Sequence, residues 1–136
     1  LKIDRAMHVG RPEVELWGTG EASREFLYVN DCADAIAKSL TVNVGPQPIN
    51  VGTGREVKIK ELIEMIKTIM GYSGKIVFNS DFPDGQPRRC LDTSRARTAL
   101  DFTAKTHLYD GLRQTVSWYY QNKEKHKFND YFDHIQ

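Results

Sequence analysis

Trp17 and Arg24 are the two residues whose types and spacing most invite a chemical role. Trp17 stands at the mouth of a glycine turn, Gly18-Thr19-Gly20, and Arg24 stands just ahead of the apolar run Phe26-Leu27-Tyr28-Val29. An indole offers a flat face and a guanidinium a planar fork of donors. Together they can hold a flat ring and an anionic group. A second stretch adds to them: Pro83-Asp84-Gly85-Gln86-Pro87 is stiffened by proline at both ends and opened by glycine, and Arg88-Arg89 follow it. Arginine forks match phosphate oxygens bidentately. If this loop folds near Arg24, then Arg24, Arg88 and Arg89 can surround a diphosphate. Asp84 can accept hydrogen bonds from sugar hydroxyls or a base N–H, or it can form an Asx turn. Scaffold alternatives stand beside each reading: Trp17 as core filler, Arg24 as a surface ion-pair partner, and the loop as a turn followed by a solvated basic pair.

Other chemistries find less support. His8, His107, His126 and His134 do not fall at metal-ligand spacing with cysteines or carboxylates, so no metal site is read. No serine lies in G-x-S-x-G. Neither glycine pair completes the dinucleotide fingerprint G-x-G-x-x-G, because Ser23 and Val57 occupy the third glycine positions. Tyr119 and Lys123 have Tyr-x-x-x-Lys spacing, but they end an amphipathic helix with no nucleotide-binding unit before it, and we read the spacing as coincidence. Cys32 and Cys90 lack CxxC spacing and read as free thiols of a reducing compartment.

Nineteen Lys and Arg against 18 Asp and Glu give a net charge of +1. That balance argues against broad nucleic-acid binding, which needs a strong positive field. Mean hydropathy is −0.53 and no run approaches the length of a membrane span, so a soluble globular chain is expected. The 136 residues suit one domain.

The elements that must position these residues follow from periodicity. Val14 and Leu16 alternate with Glu13 and Glu15, which predicts a half-buried strand over 13–17. The aromatic and β-branched run predicts a second strand over 25–29, and Asn30 or Asp31 would cap a helix over 31–44. Short strands are expected at 49–51 and 75–78. Helices are expected at 59–70, 93–99 and 107–121, with Asp92 or Thr93 capping the third of the four. Residues 1–8 read as the tail of a helix stopped by Gly10, 79–92 as a loop, and 123–136 as a tail that packs or frays.

Taken in order, Trp17-Gly18-Thr19-Gly20, Arg24-Glu25-Phe26-Leu27-Tyr28-Val29, Ile49-Asn50-Val51-Gly52-Thr53-Gly54 and Pro83-Asp84-Gly85 with Pro87-Arg88 resemble a known pattern. It is that of the C-terminal, substrate-binding part of extended short-chain dehydrogenase/reductases acting on nucleotide sugars, within the NAD-dependent epimerase/dehydratase superfamily. The Pro-Asp-Gly-x-Pro-Arg loop points to the GDP-L-fucose synthase branch. The likeness runs from about Val14 to Asn122. Asn30 stands where an Asp is usual, Lys58 where a capping Ser or Thr is common, and the segment before Ile49 is shortened.

The resemblance implies an α/β fold: a small substrate domain of short strands covered by helices, at about 10–122, without a complete Rossmann domain. It implies that the chain is part of a longer, cytoplasmic enzyme. That enzyme converts GDP-4-keto-6-deoxymannose to GDP-L-fucose by epimerisation and NADPH-dependent reduction. NADP and the catalytic set would belong to an upstream Rossmann half, so this chain alone is expected to bind no cofactor and to have no turnover. Substrate contacts carry over to Trp17, Arg24 and Asp84, with Arg88 and Arg89 close by. A GDP-sugar, the upstream domain and a possible homodimer are the implied partners, with no nucleic acid or membrane. Another nucleotide-sugar epimerase or dehydratase, or a stand-alone binding module, are the alternatives. An exposed apolar face is expected where the Rossmann half would dock.

Overall fold

The structure is a computed structural model and describes residues 1–125; the rest of the 123–136 tail lies outside the described residues. The fold is mixed α/β. In chain order it comprises α1 (Lys2–His8), β1 (Glu13–Trp17), β2 (Ser23–Glu25), α2 (Val29–Ser39), β3 (Glu56–Lys58), α3 (Ile59–Met70), β4 (Lys75–Asn79), β5 (Arg88–Arg89), α4 (Ser94–Leu100) and α5 (Leu108–Asn122). Two small sheets result: β1 pairs with β4 in parallel, and β2 lies between antiparallel β3 and parallel β5.

The apolar residues that drive these elements gather in two clusters. Ile3, Ala6, Val14 and Tyr72 form one, with Leu16, Ile66, Met70 and Ile76 packed against it. This cluster joins α1, the inner face of β1–β4 and α3. Ala35, Ala96, Leu100 and Phe102 form the other, between α2 and α4. The alternation of β1 sends Val14 and Leu16 inward and leaves Glu13, Glu15 and Trp17 on the outer face.

Helix α1 ends as expected. Gly10 takes a φ of 65°, its N–H reaches the Met7 carbonyl, and Arg11 N–H reaches that of Ala6, the paired bonds of a Schellman stop. Helix α3 begins without a side-chain cap at Lys58. Its first amides are met by main chain instead: Ile59 N–H donates to the Ala22 carbonyl at 2.9 Å and Lys60 N–H to that of Gly20 at 3.0 Å. The missing Ser or Thr is thus replaced by the glycine turn that follows Trp17.

Several expected boundaries move. The second strand covers 23–25 rather than 25–29, and α2 opens at Val29, with Tyr28 as its uncapped N-terminal flank. Neither Asn30 nor Asp31 caps it. Asp31 sits in the first turn, is buried, and accepts the N–H groups of Lys105 and Thr106 and the Thr106 hydroxyl. Helix α2 stops at Ser39, five residues short of 44. Residues 49–51 form no strand: Ile49 and Val51 pack on the second cluster, and the strand in this region is β3. The 79–92 loop contains β5. Asp92 Oδ1 accepts the Ser94 N–H at 2.9 Å at the start of α4.

Among the described residues no helix is long and apolar enough to cross a membrane. Cys32 and Cys90 are both free thiols.

Candidate functional site

The stretch 13–25 and the stretch 75–89 run side by side in the same direction. In the first ladder Glu13 faces Lys75 and Trp17 faces Asn79, an offset of 62 residues. In the second, Ser23 faces Arg88 and Arg24 faces Arg89, an offset of 65. The later stretch therefore holds three more residues between its two strands than the earlier one does, and residues 80–84 of this longer connection form an exposed loop. The loop places Phe82 on Trp17, with ring centroids 4.5 Å apart and planes 10° from parallel. Trp17 is 59% exposed, so the core-filler alternative does not hold. Lys2 Nζ lies 5.9 Å from the Trp17 ring centroid.

Asp84 closes the loop onto the glycine turn. Its carboxylate accepts the Thr19 N–H at 2.8 Å and the Thr19 hydroxyl. A side chain at Gly18 would overlap Asp84 Oδ1, and Gly18 also holds a φ of 82°, so glycine is required there on two counts. The Thr19 hydroxyl and amide hold the Asp84 carboxyl below its usual range. The contact fixes where the loop sits.

Residues in register share a face of a sheet. On β3–β2–β5, Arg24, Val57 and Arg89 occupy one face, while Ser23, Glu56 and Arg88 occupy the other. Arg88 is tied on that second face. Its Nε donates to Glu56 Oε1 at 2.7 Å, and the Ser23 hydroxyl donates to Glu56 Oε2 at 2.8 Å. Arg88 and Ser23 lower the Glu56 carboxyl, and Glu56 raises Arg88. Arg24 and Arg89 stand adjacent on the first face. Arg24 Nη1 donates to the Ser23 carbonyl at 2.6 Å, and Nη2 lies against Gly85. The structure thus brings two of the three expected guanidiniums together and turns the third away.

Glu25 is the organising group that sequence reasoning missed. Its Oε1 accepts N–H groups from Thr53 and from Gly54, the latter at 2.9 Å, and Oε2 accepts the Leu91 N–H at 2.7 Å. Partial burial pushes this carboxyl up, but the three amides outweigh it and leave the group below its usual range. A Cβ at Gly52 would overlap Oε1, which explains the second glycine turn. The same environment raises the neighbouring Cys90 thiol, chiefly through burial and then through the Glu25 charge. The only hint in the sequence was that Glu25 directly follows Arg24.

Glu21 lies between Lys58 and Lys60, with Lys58 Nζ at 2.8 Å. Their hydrogen bonds bring its carboxyl down to about 2. Away from this surface, a groove of about 720 Å³ runs between the start of α2 and α5, lined by Tyr28, Val29, Leu112, Thr115 and Trp118 among others. Along α2 and its C-cap Leu40, the apolar residues Val29, Ile36 and Leu40 are 67%, 59% and 83% exposed, on one helical stripe with exposed Ala33.

Comparison with known proteins gives these features a context. Residues 2–52 match the model of the NAD dependent epimerase/dehydratase family. GDP-L-fucose synthase 1 of Arabidopsis thaliana is 44% identical over 113 residues, which are 83% of this chain and 35% of that protein. The chain spans about a third of the length of the curated relatives it matches. A GDP-L-fucose synthetase from Naegleria fowleri, also solved bound to NADP, shares the fold with a TM-score of 0.84 at 23% identity, over 90% of this chain and 38% of that one. A GDP-6-OMe-4-keto-L-xylo-heptose reductase from C. jejuni gives a TM-score of 0.75 at 32% identity, over 88% and 38% of the two chains. The family model thus covers residues 2–52 of this chain, and most of the chain aligns with about a third of the length of GDP-L-fucose synthases.

Proposed function

We propose that this chain supplies the GDP-sugar-binding part of a GDP-L-fucose synthase-like, NADPH-dependent epimerase/reductase. The observation that carries the reading is the Arg24–Arg89 pair. Two guanidiniums in direct register repel one another, and a diphosphate between them would turn that repulsion into charge-assisted hydrogen bonds. They stand on the strands that follow the Trp17 turn and the Phe82 loop, so an anion held there leaves its base near an exposed indole. In this reading Trp17 takes the flat base, and Arg24 and Arg89 take phosphate oxygens. Asp84 and Arg88 shape the surface through Thr19 and Glu56.

The hydride chemistry is that of NADP held by the remaining part of a longer protein, and no group of this chain is assigned a proton-transfer role. The exposed stripe of α2 is the face we assign to that Rossmann part. The chain alone should show no turnover with NADPH.

The test is titration of the chain with GDP, UDP and dTDP. Preference for GDP is expected, together with a loss of roughly tenfold or more in Arg24→Ala, as for one charge-assisted contact. A preference for UDP or dTDP would favour another nucleotide-sugar enzyme of the family. Partner binding indifferent to Arg24 would favour a stand-alone module.

A further inference from the structure

Trp17 and Phe82 form an aromatic stack at the surface, 59% and 37% exposed, and neither belongs to a buried cluster. Core formation therefore does not explain their contact. The loop that carries Phe82 is tied on both sides of it: Asp81 N–H donates to Asn79 Oδ1 at 3.0 Å, and Asp84 holds Thr19. Between these ties the phenyl ring lies across the indole. Phe82 lies in the connection between the two ladders, outside both, so displacing its ring does not require either ladder to slip.

We propose that Phe82 is a selectivity residue of the Trp17 face: it occupies the position that the planar ring of a nucleotide would take, and a ligand stacks there only by displacing it. The proposal rests on the reading of Trp17 as the ring-binding residue and deepens it. An aromatic pair in water is worth enough to matter but less than a good base stack. Displacement therefore weakens every ring-bearing ligand by the strength of the phenyl–indole stack. A ringless anion held by Arg24 and Arg89 escapes that cost. Phe82 in this way sets how strongly a base must stack before the site accepts it.

The experiment uses this chain with Trp118→Phe as background, which leaves Trp17 as its one indole. Affinities for GDP and for inorganic pyrophosphate are measured by calorimetry, and Trp17 fluorescence is quenched with acrylamide. Phe82→Ala is expected to tighten GDP by about 2- to 10-fold, to leave pyrophosphate unchanged, and to raise the quenching of Trp17. Weaker or unchanged GDP binding in Phe82→Ala, an equal change for pyrophosphate, or unchanged quenching would each overturn the proposal. Trp17→Ala separates the two levels. If it abolishes the preference for GDP over pyrophosphate while Phe82→Ala fails to tighten GDP, the Phe82 proposal alone falls. If it leaves GDP binding intact, or if no variant binds GDP, both fall.

Discussion

Removing the Glu25 carboxylate should loosen two loops at once. Three main-chain amides from two separate segments converge on it, those of Thr53, Gly54 and Leu91. Each amide–carboxylate bond is worth about 1.5–3 kcal/mol when well buried. Glu25 is only partly buried, and the released amides can turn to water, so we discount that range by half or more. Glu25→Ala should therefore cost about 2–4 kcal/mol in a urea unfolding experiment. Gly52 provides an internal control. It does not hold a positive φ, so Gly52→Ala is harmful only because the new Cβ meets Glu25 Oε1 and, at 3.2 Å, Leu91 Cδ1. Glu25 cannot retreat without releasing its amides. Gly52→Ala should thus destabilise the native background and do so less in Glu25→Ala, with a coupling of about 1 kcal/mol or more. Acidity gives a third reading. The folded carboxyl lies below its ordinary value, so its stabilisation is present above the unfolded pKa of about 4.3 and is lost as pH falls through the folded value. The stability gap between the native chain and Glu25→Gln should hold steady at neutral pH and narrow on acidification. A cost below about 0.5 kcal/mol for Glu25→Ala, or an equal Gly52→Ala cost in both backgrounds, would refute the clamp.

The two adjacent arginines should separate cleanly. Arg89→Ala should weaken pyrophosphate binding by about tenfold with little change in unfolding, whereas Arg88→Ala should shift unfolding through Glu56 and leave pyrophosphate affinity unchanged; the reverse pattern would contradict the face assignment. Thr19→Val should raise the Asp84 pKa toward the ordinary carboxylate range, read by NMR titration, because it removes the hydroxyl that donates to it. At the opposite end of the chain, Asp4 accepts from the Tyr119 hydroxyl at 2.9 Å and from Lys123, joining α1 to α5. Burial and Asp4 push the Tyr119 phenol well above its normal range, so Asp4→Asn should bring its ionisation to lower pH in ultraviolet titration, and Asp4→Ala should cost about 1–3 kcal/mol.

How far the sequence reached depended on how local the determining interaction is. Helix α3 matches its expected span because its stripe of Ile and Leu repeats within twelve residues and Gly71 stops it with a φ of 72°. Strand β1 was equally legible, although the outward placement of Trp17, for which core filler had stood as an alternative, comes from the structure. The run Phe26 to Val29 misled because strand propensity describes a half-buried pleat. Here Val29 opens a helix instead, anchored by Asp31 on amides 74 and 75 residues away. Helix α2 ended early for a related reason: Leu40 and Val42 stay exposed, and Val44 packs on the second cluster from outside the helix. The site divided in the same way. Arginine types and loop stiffness could be read directly. Which guanidinium joins Arg24, and which is taken by Glu56, depends on a register across 65 residues. Glu25 was missed because a carboxylate that holds main-chain amides leaves no side-chain signature at its partners.

The jump in offset from 62 to 65 also bears on how this surface can be altered. Either ladder, slipped by one residue, would turn its outward side chains inward, so neither can absorb a change in length. An insertion or deletion anywhere between Asn79 and Arg88 must be taken up wholly by the loop, between fixed posts at both ends. The segment behaves as a cassette. A change in its length or its ring should alter the shape offered to a ligand while the strands bearing Arg24 and Arg89 keep their places.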